Sequence, residues 1–60
     1  MKWTKLEDKV LTELIQSSKS SQWADLAVML NAKVEMLAGK NEHHRIGKQC
    51  RERWINILNP

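Results

Sequence analysis

Apolar positions in this chain recur every three to four residues. Val10, Leu11, Leu14 and Ile15 form one stripe, Trp23, Leu26, Ala27, Leu30, Val34 and Leu37 a second, and Cys50, Trp54, Ile57 and Leu58 a third. That period belongs to helices with one buried face, and strand-like alternation is absent. Thr4-Lys5-Leu6-Glu7 has the form of a capping box, so the first helix is expected to begin at Thr4 and to end in Ser17-Ser18-Lys19-Ser20. Ser21 is a good N-cap for the second helix, and Asp25 sits favourably for its dipole. Val34 and Leu37 prolong its stripe and Gly39 supplies a stop, which predicts one helix from about Gln22 to Ala38. Lys40 to His44 is then the loop; the third helix starts around Gly47 or Lys48, and Pro60 marks the domain's end. The expected fold is all-α: a three-helix, helix-turn-helix-like bundle with an extended second helix or a long loop before the third.

Glu7 disturbs this simple pattern. At about 100° per residue it falls between Leu11 and Leu14 on the inward face, where an unpaired carboxylate is costly. Either Glu7 only caps its own helix, or Arg51 or Arg53 of the last helix supplies the opposite charge.

Sixty residues make one domain, expected over 1–60, near the lower end of what folds without metals or disulfides. The single cysteine excludes an intramolecular disulfide, and His43, His44 and Cys50 make a poor metal set, so no metal or cofactor is expected. The core therefore has to come from aliphatic side chains and from Trp3, Trp23 and Trp54. No signal peptide or membrane-spanning run is visible, so the sequence reads as soluble and intracellular. A Gly-rich phosphate loop, a nucleophile–base pair and a paired-carboxylate pocket are all missing, which argues against an enzyme.

Charge placement adds a function class. Residues 1–44 carry six lysines and six carboxylates, which cancel, whereas residues 45–60 carry Arg45, Lys48, Arg51 and Arg53 against Glu52 alone. A cationic surplus on one element is the footprint of a polyanion. On a helical wheel with Lys48 at zero, Glu52 and Asn56 fall at about 40° and 80°, opposite Cys50, Trp54 and Ile57. Lysine donates to guanine O6 and N7, glutamate accepts from cytosine N4, and asparagine pairs with adenine N6 and N7. Lys48, Glu52 and Asn56 are thus candidate base readers, with Arg45, Gln49, Arg51 and Arg53 as candidate phosphate contacts. Local ion pairing of Glu52 with Lys48 is the plainer alternative.

Trp3-Thr4-Lys5-Leu6-Glu7-Asp8, then Trp23, then Arg45-Ile46-Gly47-Lys48-Gln49-Cys50-Arg51-Glu52-Arg53-Trp54-Ile55-Asn56-Ile57-Leu58-Asn59-Pro60 resembles a Myb DNA-binding repeat. The likeness is greatest to the second repeat of the animal Myb oncoprotein class. It implies three tryptophans around a three-helix core and a third helix in the major groove. It also implies sites with an AAC core, a neighbouring repeat, transcriptional regulation and a nuclear location. Cys50 matches a core cysteine whose reduction favours DNA binding in the family, so it is a candidate redox-sensitive residue, or else simply a small hydrophobe. A SANT-like module that binds histone tails or other chromatin proteins is the alternative reading, and the third-helix wording of telomere-binding relatives is absent.

The chain departs from the family pattern between Trp23 and Trp54, which stand further apart than usual; the surplus, an insertion at about 31–44, reads NAKVEMLAGKNEHH. A longer second helix would absorb it, seven extra residues advancing the axis by about 10 Å. The segment is either an idle surface extension or a contact element, in which protonated His43 and His44 near phosphate would raise affinity below about pH 6.5. Because the chain begins at its first tryptophan and stops at Asn59-Pro60, it is expected to be one repeat of a longer protein. Alone it should be a monomer that binds DNA weakly.

Overall fold

In a computed structural model of the chain, which describes residues 2–17 and 22–59, three helices follow one another: α1 Lys5–Ser17, α2 Trp23–Ala38 and α3 Gly47–Arg53. α3 runs directly into a π-helical turn, Trp54–Leu58. The expected end of the first helix beyond Ser17, the cap at Ser21 and the stop at Pro60 lie outside the described residues.

α1 begins as its sequence dictates. The Glu7 amide donates to Thr4 Oγ1 at 3.1 Å and the Thr4 amide donates to Glu7 Oε1 at 2.9 Å, so two amides that a helix start leaves without partners are satisfied reciprocally. α2 ends at Gly39, whose φ of 82° lies in the left-handed region open to glycine and whose amide donates to the Glu35 carbonyl at 2.9 Å. The second helix therefore does run through Ala38.

Val10 and Leu11 of α1, Ala27, Leu30 and Val34 of α2 and Cys50 of α3 form the buried cluster, with Leu6, Leu14, Ile15, Trp3, Trp23 and Leu58 packed around it. Two of the tryptophans thus rim the core, and Trp54 is only partly buried. Leu37, expected on the inward stripe, is 58% exposed. The last turn of α2 instead shares a groove through Val34 and Ala38 with Leu6 of α1, and Leu37 is rotated off that contact.

Ile57, also expected inward, is 60% exposed. The physical reason is the π turn, in which the Asn59 amide reaches back five residues to the Trp54 carbonyl at 2.7 Å. A wider turn advances each residue by less than the 100° of an α-helix. Ile57 therefore stays on the outer flank with Gln49 and Arg53, while Leu58 takes the inward position.

α3 approaches the backbone of α2 closely at Gly47. A Cβ added at Gly47 would lie 3.0 Å from the Ala24 nitrogen and 3.1 Å from the Trp23 carbonyl carbon, both backbone atoms, so only glycine fits without displacement.

Candidate nucleic-acid interface

The last helix is held in place by basic residues at its two ends, Arg45 just before it and Arg53 at its last turn. The loop leads into Arg45, whose backbone is gripped from both sides by Asn31 of α2. The Arg45 amide donates to Asn31 Oδ1 at 2.9 Å, and Asn31 Nδ2 donates to the Arg45 carbonyl at 2.8 Å. Asn41 Nδ2 adds a third bond to Asn31 Oδ1 at 3.0 Å, which ties the loop to the same point. Asn31 was not singled out as a site from the sequence, although its place four residues after Ala27 on the inward stripe marks a polar group that must find partners.

Arg45 is the partner of Glu7. Its Nε and Nη2 donate to the two Glu7 oxygens at 2.6 and 2.9 Å, Nη2 also reaches the Lys2 carbonyl at 3.2 Å, and the two side chains are 2% and 3% exposed. Burial alone raises the Glu7 pKa and is the largest single influence. The hydrogen bonds from Arg45 and Thr4 and the Arg45 charge together outweigh it, so the carboxyl is held below its ordinary 4.5. Glu7 both caps α1 and pairs with an arginine. That arginine is neither Arg51 nor Arg53, because the loop and not the helix brings the guanidinium to the mouth of α1. The same geometry weighs against Arg45 as a phosphate contact, because its side chain is 2% exposed and bidentate to Glu7.

Arg53 is engaged as well. Its Nε and Nη2 donate to Asp8 Oδ1 and Oδ2 at 2.8 and 2.7 Å, joining the end of α3 to α1. The Arg45 and Arg53 guanidiniums lie 4.5 and 5.9 Å from the centre of the Trp3 ring, which holds that indole by cation–π attraction. Gln49 turns its Oε1 back to accept from the Ile46 amide at 3.0 Å, capping α3.

With these side chains engaged by groups of the protein itself, Lys48, Arg51, Glu52 and Asn56 remain exposed. Among the described residues their side chains have no hydrogen-bond or ion-pair partner, so Glu52 does not pair with Lys48. Glu52 and Asn56 also line a shallow groove of about 280 Å³ whose other walls are Trp3, Gln49, Arg53 and Ile57. The outer face of α3 thus presents an ammonium, a carboxylate and a primary amide, free to bond elsewhere.

Cys50 lies at the opposite pole. It is 0% exposed, and burial pushes its thiol up to about 11, against the pull of the nearby Arg45 charge. A thiol so placed stays protonated and shielded in the folded domain, so its surroundings favour the small hydrophobe over the redox-sensitive residue. His43 and His44 face different grooves, His43 beside Leu6 and Val34 and His44 beside Ala24 and Val28. Among the described residues no three His, Cys, Asp or Glu side chains are grouped to hold a metal ion, and no helix is long and apolar enough to cross a membrane.

The family model described as the Myb-like DNA-binding domain matches residues 1–58. The chain belongs to that family. Myb-related protein A of Homo sapiens is 43% identical over 58 residues, covering 97% of this chain and 6% of that protein. Myb-related protein B of Gallus gallus and the transcription factor MYB3R-4 of Arabidopsis thaliana are each 41% identical over the same share of this chain, covering 7% and 5% of their own lengths. The Myb-like chain therefore spans only a small fraction of the relatives it matches. No solved structure matches it significantly. Membership agrees with the helical bundle described above and places the domain in a DNA-binding family, not an enzyme family.

Proposed function

We propose that this Myb-like domain binds double-stranded DNA sequence-specifically, with α3 in the major groove, as one repeat of a nuclear Myb-type transcription regulator. The observation that carries the reading is the division of labour along residues 45–56. Arg45, Cys50 and Arg53 are turned to the protein, while Lys48, Glu52 and Asn56 are exposed together on the outer face. Those three are assigned to guanine, cytosine and adenine respectively, which suits a site containing AAC and its complement. Arg51, and the amide of Gln49, are assigned to phosphate; Arg45 is removed from that set, and Arg53 is secondary because Asp8 holds it. With so few free cations, affinity should be low and strongly dependent on a neighbouring repeat. Residues 31–44 are an insertion that lengthens α2 and is anchored through Asn31 and Asn41.

An NMR titration with an AAC-containing duplex, a scrambled duplex and a histone-tail peptide tests this directly. Shifts centred on residues 48–56 that saturate earlier with the AAC duplex are expected. Equal responses to both duplexes would remove sequence specificity, and a response to the peptide alone would favour a SANT-like chromatin module instead.

A further inference from the structure

We infer that Ile57 is a specificity residue of this domain, which reads the 5-methyl group of a thymine beside the adenine assigned to Asn56. The inference rests on the DNA-binding reading above. An α-helix continued through residue 57 would have set this isoleucine on the core side, near Cys50. The π turn of Trp54–Leu58 instead leaves Ile57 60% exposed and keeps Leu58 inward. π turns are uncommon and frequently occur at functional sites. The side chain does not project into open solvent alone, because it lines the groove shared by Glu52, Asn56, Gln49, Arg53 and Trp3.

The chemistry of the major groove then limits what Ile57 can contact. Its edges present acceptors, donors and one apolar group, the thymine methyl. A branched aliphatic beside Asn56 gains by covering that methyl. Set against guanine or cytosine, it would strip water from polar edges without replacing the hydrogen bonds. The residue therefore favours thymine and disfavours the alternatives. Ile55, 50% exposed, is outside this groove and serves as the internal control.

The test uses the 60-residue chain and fluorescence anisotropy at low salt. The probes are an AAC-containing duplex, a scrambled duplex, and AAC duplexes in which single thymines are replaced by uracil, which lacks only the methyl. The unaltered protein is expected to lose about three- to fivefold in affinity at one thymine position, the equivalent of one apolar carbon covered. I57A should bind the thymine duplex weaker by a similar factor and no longer distinguish uracil there, while I55A keeps the full discrimination. Circular dichroism verifies that both variants remain helical, as expected for exposed positions. Preference for AAC with no sensitivity to uracil, or full sensitivity retained in I57A, overturns the Ile57 assignment alone. Loss of preference for AAC over the scrambled duplex overturns the underlying reading and this one with it.

Discussion

Arg45 and Arg51 stand six positions apart in one basic stretch, and their environments are opposite. Arg45 is sealed between Glu7, the Lys2 carbonyl and the face of Trp3; Arg51 is exposed on α3. The contrast shows that a cluster of like charges in sequence need not be one surface patch in the fold. Half of the cations in the last sixteen residues, Arg45 and Arg53, are matched by carboxylates of α1 and hold the third helix in position. The other half, Lys48 and Arg51, are left to the outside.

Variants at the two ends of this contrast should behave differently. Arg45→Ala leaves Glu7 buried without its partner and should cost about 3–5 kcal/mol of stability, most of what so small a domain has. Thermal unfolding should lose its cooperative transition, and a variant that melts normally would show that the pair is dispensable. Acid probes the same pair. The folded Glu7 pKa lies below its ordinary 4.5. The stabilisation is therefore fully present above that value and is lost as pH falls through the lower folded pKa. Stability measured in denaturant should decline below about pH 4.5, and this decline should be much smaller in Glu7→Gln.

At the outer face the expected change is in binding. Asn56→Ala should weaken the AAC duplex by about 1–3 kcal/mol and leave the melting temperature unaltered, with little loss on scrambled DNA. Equal losses on both duplexes would mean that Asn56 does not read a base. Gly47→Ala lies between the two regimes. Alanine is ordinarily the better helix former, but its Cβ would meet the α2 backbone at 3.0–3.2 Å, so a net loss of about 1–2 kcal/mol is expected from chemical unfolding. The smallest effect belongs to Arg51→Ala. It should lower the slope of log affinity against log salt by about one and weaken all duplexes alike, without changing stability.

Much of the architecture was written locally. The Thr4–Glu7 box, the glycine stop at residue 39 and the apolar period placed the start of α1 and both ends of α2 to within a residue or two, because caps and helical faces depend on neighbours three or four positions away. The exposure of Lys48, Glu52 and Asn56 was legible for the same reason: they share one face of a helix whose other face carries Cys50.

What the chain alone did not disclose depends on contacts made across long separations. Glu7 demanded an arginine, but only the path of the loop, pinned by Asn31 and Asn41, decided that Arg45 and not Arg51 or Arg53 would meet it. The change from α to π winding after Arg53 was equally hidden. Helical periodicity assumes one constant turn, and a single wider ring at Trp54 turned Ile57 outward while Leu58 kept its inward place. Sequence by itself determined which faces are apolar and which residues begin and end helices, since those are short-range properties of the backbone. Tertiary structure decided which charges are neutralised and which remain available, because a charge is matched only by the groups that folding brings within a few ångströms of it.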